Sequence, residues 1–215
     1  MLSTILSWEI GARAQALLEL SIPSFSSLTP SSPQSLPSPP TPSINASLAD
    51  IYTIARTTVA ALPPPPSNGS GQPLFIGDTS AGDPASVGVA VLIANWTNFQ
   101  RDQDYDYAGA ATAQVQYLFG PEVPKTSDGA ISHRVSQLQL WYVLYIRQLP
   151  QPLLMPTQNS SRRSDSVYMV PPFLAYYGLT TNNQSMLQEA YTQVWCMGFP
   201  RLQMASDETE MRDLE

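Results

Sequence analysis

Two residue types that build chemical sites are almost missing from this sequence, which has one cysteine, Cys196, and one histidine, His133. A single cysteine excludes an intrachain disulfide framework and a thiolate metal site. One histidine excludes a zinc site built from clustered imidazoles. Because no ligand cluster exists, we expect neither a metal nor an organic cofactor, and we interpret Cys196 as a bystander.

Charge is also scarce: charged residues make up 13% of the chain, and acids outnumber bases to give a net charge of −7. Soluble domains usually have about 25% charged residues. Nucleic acids and anionic membranes recruit Lys/Arg patches, so we expect neither as a partner. No run reaches the roughly 20 apolar residues that cross a bilayer. Hydrophobic residues, at 43%, still suffice for one domain with a core.

A good secretory signal is not visible at the start of the chain, because Glu9 and Arg13 interrupt a short apolar stretch. Sequons for N-glycosylation nevertheless occur five times. We predict a secreted glycoprotein whose signal lies upstream of Met1; chance occurrence in a Ser/Thr-rich chain is the alternative. The sequon asparagines are Asn45, Asn68, Asn95, Asn159 and Asn183.

Proline is concentrated early in the chain, where 11 of the 21 prolines lie between Pro23 and Pro66. Such segments bury too little apolar surface to order themselves. We therefore predict Pro-rich loops over residues 22–46 and 63–74.

Outside these loops the apolar spacing is helical, and about six helices paired as hairpins predict an all-α fold. GDPASVGVAVLIANW is apolar all round, with Asp83 as predicted cap and Pro84 in the first turn, which predicts an inner helix. Residues 165–177 and 184–195 are predicted as two helices separated by Gly178. The apolar positions predicted for the first two helices are Leu2, Leu6, Ile10, Leu17 and Leu20, then Leu48, Ile51, Ile54, Ala55, Val59 and Leu62.

A lone acid, Asp165, leads the apolar run SDSVYMVPPFLAYYG. One interpretation is structural: Ser164 caps a helix with Asp165 in its first turn, and Pro171 and Pro172 kink that helix. The aromatic residues that follow are then core. His133, in TSDGAISHR, has a similar interpretation as a loop residue bonded to a backbone carbonyl.

Six blocks together carry a resemblance to one enzyme family: LSWEIGARAQALLEL, GDPASVGVAVLIANW, DYAGAATAQVQYL, TSDGAISHR, LW and SDSVYMVPPFLAYYG. They resemble the fungal six-hairpin glycosidases, the unsaturated rhamnogalacturonyl and glucuronyl hydrolases of glycoside hydrolase families 88 and 105. The most specific motif is W-x-D-x-x-Y-M-x-x-P-F-L. Here it is broken into Trp141 and then Asp165, Tyr168, Met169, Pro172, Phe173 and Leu174.

The resemblance implies an (α/α)6 barrel that binds an oligosaccharide ending in a 4,5-unsaturated uronic acid. The aspartate matching Asp165 would protonate the double bond and activate the water that hydrates it. One carboxylate serves both steps if an apolar wall, here the Tyr/Pro/Phe run, keeps its pKa near the working pH. Arg134 is expected to meet the substrate carboxylate by charge complementarity. The other residues placed at the substrate are His133, Trp141, Tyr168 and Met169.

Two departures from the family pattern affect the domain prediction. Residues 142–163 separate Trp141 from the rest of its motif and are interpreted as a retained intron, or else as a surface insertion. Residues 196–215 form an unrelated acidic tail, and only the N-terminal half of the family chain is present. We therefore expect one truncated domain over 1–195, an inner helix 84–97 with an exposed apolar face, poor folding and an inactive copy.

Two other functions remain open on the sequence. Other (α/α)6 enzymes cleave saturated glycosides with two carboxylates, and Asp128 is the only acid near enough in sequence to pair with Asp165. The second alternative is a non-catalytic protein that binds carbohydrate or a protein partner.

Overall fold

The computed structural model describes residues 7–26, 46–67, 69–99, 105–125, 129–135 and 167–198. Within these ranges the chain forms six α-helices, no β-strand, and two isolated antiparallel bridges, Ser80 with Arg134 and Lys125 with Ile131. The all-α fold class is confirmed. The helices are α1 (Ser7–Ser21), α2 (Ala49–Ala60), α3 (Gly82–Trp96), α4 (Tyr107–Phe119), α5 (Val170–Thr181) and α6 (Gln184–Gly198), with a 3₁₀ turn at Pro23–Phe25.

Helix α3 is the centre of the fold, because α1, α2, α4 and α5 all pack against it. Every residue from Gly82 to Ala94 is buried. The prediction of an inner helix is confirmed, and the prediction that this helix exposes an apolar face is wrong. Four neighbouring helices cover its whole circumference, as its uniformly apolar sequence requires.

The buried face of α1 differs from the face that leucine spacing predicts. Leu20 is 82% exposed, and the buried residues are Ser7, Gly11, Ala14 and Leu18. The buried face of α1 consists mainly of small residues because α1 lies very close to α3. A Cβ on Gly11 would come within 2.9 Å of the Ser86 backbone carbon. In α2 the prediction holds better, since Ile51 and Ala55 are buried.

The start of α3 is capped differently from the prediction. The N-cap position is Ala81, and Asp83 lies inside the first turn. Ser80 Oγ accepts a hydrogen bond from the Asp83 N–H at 3.0 Å, so Ser80 supplies the acceptor that Asp83 was predicted to supply. This frees the Asp83 carboxylate for another partner.

Helix α5 begins at Val170, later than predicted, with Pro171 and Pro172 in its first turn. Proline is tolerated there because the first helical N–H groups have no intrahelical acceptor. The predicted proline kink is therefore wrong, and the predicted first-turn position of Asp165 lies outside the described residues. Phe173 and Tyr176 are core residues, each 0% exposed, which confirms their structural interpretation.

The break between the last two helices also lies later than predicted. Gly178 is inside α5, where a Cβ would come within 2.8 Å of the Leu187 side chain. The glycine thus serves the close packing of α5 on α6. The chain turns at Asn182, whose φ is 53°, a left-handed conformation that asparagine tolerates.

Candidate functional site

The candidate site lies at the N-terminal end of α3, where an extended segment, residues 129–135, runs alongside residues 79–81. The Ala81 N–H donates to the His133 carbonyl at 2.8 Å, and the Val135 N–H donates to the Thr79 carbonyl at 3.1 Å. These bonds fix the backbone on both sides of Arg134. They place His133 against the first turn of α3.

The His133 imidazole is buried with two polar partners from that turn. Its Nε2 lies 3.4 Å from Asp83 Oδ1 and 3.4 Å from Ser80 Oγ. His133 is 2% exposed, Ser80 0% and Asp83 9%. A buried carboxylate needs such partners, because moving it out of water is costly.

The arrangement of Ser80, Asp83 and His133 is not that of a nucleophile and its base. In a catalytic triad the serine and the acid contact opposite ring nitrogens, whereas here both approach the same nitrogen, Nε2. Ser80 is also fully buried, so no substrate could reach it. The cluster therefore positions the imidazole.

Burial raises the pKa of the Asp83 carboxyl above its ordinary value. The charge of His133 and the bond with Ser80 oppose this rise, Asp78 adds to it, and Arg134 weakly opposes it. Desolvation is the largest of these effects. The interactions with His133 and Ser80 thus offset only part of the cost of removing the Asp83 carboxylate from water.

Gly82 brings a third segment of the chain to the cluster. A Cβ built on Gly82 would lie 3.0 Å from His133 Nδ1 and 3.4 Å from Met169 Sδ. The imidazole and the thioether therefore cover the helix start side by side. Residues far apart in sequence, from 80–83, 131–134 and 168–169, meet at this one end of α3.

Arg134 lies next to His133 but is only half-buried, since neighbours in an extended segment point to opposite sides. Its Nη1 donates to Thr79 Oγ1 at 2.8 Å, and its Nε has no hydrogen-bond partner. Among the described residues it forms no salt bridge. Its charge acts on the Asp83 carboxyl only from a distance.

The other predicted site residues are divided between the described and undescribed parts of the chain. Tyr168 is 76% exposed and its neighbour Met169 is 8% exposed, so only the tyrosine ring is open to solvent. Asp165, Trp141 and Asp128 lie outside the described residues. The predicted apolar wall is mostly core: from Val170 to Leu174 every residue is buried.

Gln193 of α6 holds the extended segment in place. Its Oε1 accepts from the Ile131 N–H at 2.9 Å, and its Nε2 donates to the Gly129 carbonyl at 2.9 Å. The side chain is 0% exposed. A single buried amide therefore satisfies two backbone groups of the segment that carries His133.

Sequence reasoning missed Asp83, Ser80 and Gln193 as parts of this site. The GDPAS block contributed to the family resemblance, but its aspartate, Asp83, was predicted only to cap a helix. Gln193 gave no signal, since one glutamine in a helix is ordinary until its contacts are known.

Other structural features do not add to the cluster. An open cavity of about 600 Å³, lined in part by Tyr52, Thr97 and Phe99, lies at the opposite end of α3. Among the described residues, no group of three or more His, Cys, Asp or Glu side chains could hold a metal ion. None of the described helices has the length and apolar character needed to cross a membrane.

Comparisons of the chain with protein-family models, with curated proteins and with solved structures find no match.

Proposed function

We propose that this chain is a glycoside hydrolase-like protein of carbohydrate metabolism, an inactive copy of an enzyme that acts on oligosaccharides ending in a 4,5-unsaturated uronic acid. The finer fold we propose is part of an (α/α)6 barrel, with α3 as an inner helix. The observation that carries the proposal is the meeting of three resemblance-bearing blocks, GDPAS, GAISHR and SVYM, at one end of α3, where a Cβ on Gly82 would lie within 3.4 Å of both His133 and Met169.

Each described residue of the site has a role in this proposal. Arg134 binds the uronate carboxylate, a role supported by its lack of a salt bridge within the described residues. His133, 2% exposed, lies behind Arg134 and holds the segment that carries it against α3 through Asp83. Tyr168, 76% exposed, offers an aromatic face to the sugar. Trp141 completes the binding residues.

Asp165 is the proposed acid and base of the reaction. Its proton adds to C4 of the unsaturated ring, and water, losing a proton to the same carboxylate, adds to C5. The C5 hemiketal then opens, and the rest of the oligosaccharide leaves from C1. No oxidant, reductant or metal is required, and the carboxyl group ends in its starting protonation state.

The test uses the whole chain and the chain lacking residues 142–163, each with an unsaturated uronyl disaccharide. Binding is measured by calorimetry, and hydration of the double bond by the loss of ultraviolet absorbance. We expect saturable binding by both forms and no absorbance loss with the whole chain, which is expected to be inactive; any absorbance loss with the shortened chain should be abolished by Asp165→Asn. The saturated disaccharide is the control substrate.

Three outcomes would overturn parts of the proposal. Equal absorbance loss in the parent and in Asp165→Asn would remove Asp165 from the mechanism. Cleavage of the saturated disaccharide alone would favour a two-carboxylate glycosidase. Absence of binding and of turnover in both forms of the chain would overturn the proposed function as a whole.

A further inference from the structure

Two of the five sequons lie within the described residues, one in a helix and one in a turn between helices. Asn95 is in the last turn of α3, and Asn183 lies between α5 and α6. The other three sequon asparagines are outside the described residues. A folded chain can carry an N-linked glycan only where the asparagine amide can project into solvent.

Asn183 lies in a turn whose neighbouring residues are exposed to solvent. Asn182, Gln184 and Ser185 are exposed, and Asn183 itself is half-buried. Its Oδ1 accepts the Ser185 and Met186 N–H groups at 3.1 and 3.3 Å, so it caps α6. Its Nδ2 makes no hydrogen bond within the described structure.

The cap and the modification use different atoms of the same amide. A glycan replaces one hydrogen on Nδ2, while Oδ1 keeps both of its capping bonds. The α6 cap should therefore survive modification, although its removal costs about 1 kcal/mol in other helices.

Asn95 is half-buried like Asn183, but it lies inside a helix instead of in a connecting turn. Asn95 directly follows the fully buried stretch of α3 and precedes Trp96, whose ring packs edge-on against Phe25 at 4.8 Å. The Thr97 hydroxyl is bonded to the Ile93 carbonyl at 2.8 Å. A glycan here would leave from helical backbone, and the hydroxyl of its sequon threonine is already engaged.

We propose that Asn183 is an N-glycosylation site of this chain and that Asn95 is not. The inference rests on the proposed secretion. In the transfer step, Asn183 Nδ2 bonds to the anomeric carbon of an oligosaccharide, loses a proton, and displaces the diphosphate of a lipid-linked donor. The turn lies at the far end of α5 from Met169, about 18 Å along the helix axis, so the glycan leaves the proposed site open.

The experiment directs the full chain into the endoplasmic reticulum of yeast with an added secretion leader. Glycopeptide mass spectrometry then measures occupancy at Asn183 and Asn95. We expect Asn183 to be occupied in most molecules and Asn95 at least tenfold less often. Ser185→Ala should abolish the glycan at Asn183 and leave the cap intact, because the bond to Oδ1 comes from the backbone of residue 185.

Two results would overturn the assignment: an unmodified Asn183, or an occupancy at Asn95 equal to or above that at Asn183. Because the leader imposes entry, both results are independent of where the native chain resides and of its activity. Asn183→Asp also keeps a capping acceptor. Both variants, Asn183→Asp and Ser185→Ala, should therefore unfold at the same temperature as the deglycosylated parent. If both variants unfolded at a lower temperature than the deglycosylated parent, the inference that the α6 cap survives changes at this sequon would be overturned.

Discussion

The Nε2 atom of His133 and the Oδ1 atom of Asp83 lie 3.4 Å apart, in a cluster where neither residue is more than 9% exposed. The two residues are 50 positions apart in sequence and belong to two different blocks of the proposed site. Their contact joins the extended segment 129–135 to the first turn of α3. Changes to either residue should therefore affect both the stability of the fold and the geometry of the site.

Asp83 should make stability depend on pH in a defined direction. Burial raises the pKa of its carboxyl, so the folded chain binds a proton more tightly than the unfolded chain. The free energy of unfolding should then fall as the pH rises from the ordinary carboxyl pKa of about 3.9 through the folded value. Relative to the parent, Asp83→Asn should gain stability across this window. Urea unfolding between about pH 4 and pH 7 measures the difference.

Asp50→Asn is the matched control for this prediction, since it removes a carboxylate that is 64% exposed and pairs with Arg13 at 3.5 Å. If the stability difference between Asp83→Asn and the parent stays constant with pH, the folded and unfolded chains bind the Asp83 proton equally, and burial does not govern this carboxyl.

Replacing Gln193 should weaken the fold through the segment that carries His133. Gln193→Leu leaves the Ile131 N–H and the Gly129 carbonyl without their present partner. Each unsatisfied buried group costs about 1–3 kcal/mol. Because the Ile131 N–H is buried and the Gly129 carbonyl only partly so, urea unfolding should show a loss of at least about 1 kcal/mol. Gln188→Leu, at an exposed position on the same helix, should change stability by less than about 0.5 kcal/mol; equal losses would show that the Gln193 bonds contribute nothing specific.

Gly11→Ala should destabilise the chain although alanine is the better helix former. A Cβ on Gly11 would lie 1.8 Å from Ser86 Oγ and 2.5 Å from Ser86 Cβ, so α1 must move away from α3. Overpacking of this kind costs about 1–3 kcal/mol. Ala16→Gly, at an exposed position of α1, should cost about 1 kcal/mol through helix propensity alone. Thermal unfolding would contradict close packing if Gly11→Ala raised the midpoint.

Arg134 should matter for binding the substrate carboxylate more than for the chemical step. A hydrogen bond to a charged group contributes about 1.5–3 kcal/mol, so Arg134→Gln should weaken binding of an unsaturated uronyl disaccharide by about tenfold or more. The methyl ester of the same disaccharide, which lacks the charge, should bind the parent and the variant alike. Arg13→Gln is the control, because Arg13 is 65% exposed and lies on α1. An equal loss with the ester would indicate a structural role for Arg134.

Local pattern predicted the helices well and their buried faces less well. The periodic apolar residues of α2 and the uniformly apolar α3 were recognised because helix period and burial agree there. The face of α1 was predicted wrongly, since leucine spacing indicates apolar surface but not which neighbour comes closest. Gly11 decided that face by allowing contact with Ser86.

The candidate site could be predicted only in part for the same reason. His133, Arg134, Met169 and Tyr168 carried signals from the resemblance, whereas Asp83 had a sufficient local explanation as a cap. Its actual partner is 50 residues away, and no local pattern specifies a contact across that distance.

The sequence by itself determined the helical class, the central position of α3 and the absence of a cysteine- or histidine-rich cluster, because these depend on residue type and period along one segment. Only the tertiary structure decided that Asp83 meets His133 and that Gln193 holds the segment 129–131. Those facts depend on which segments pack together, and that is decided by the burial of many side chains at once.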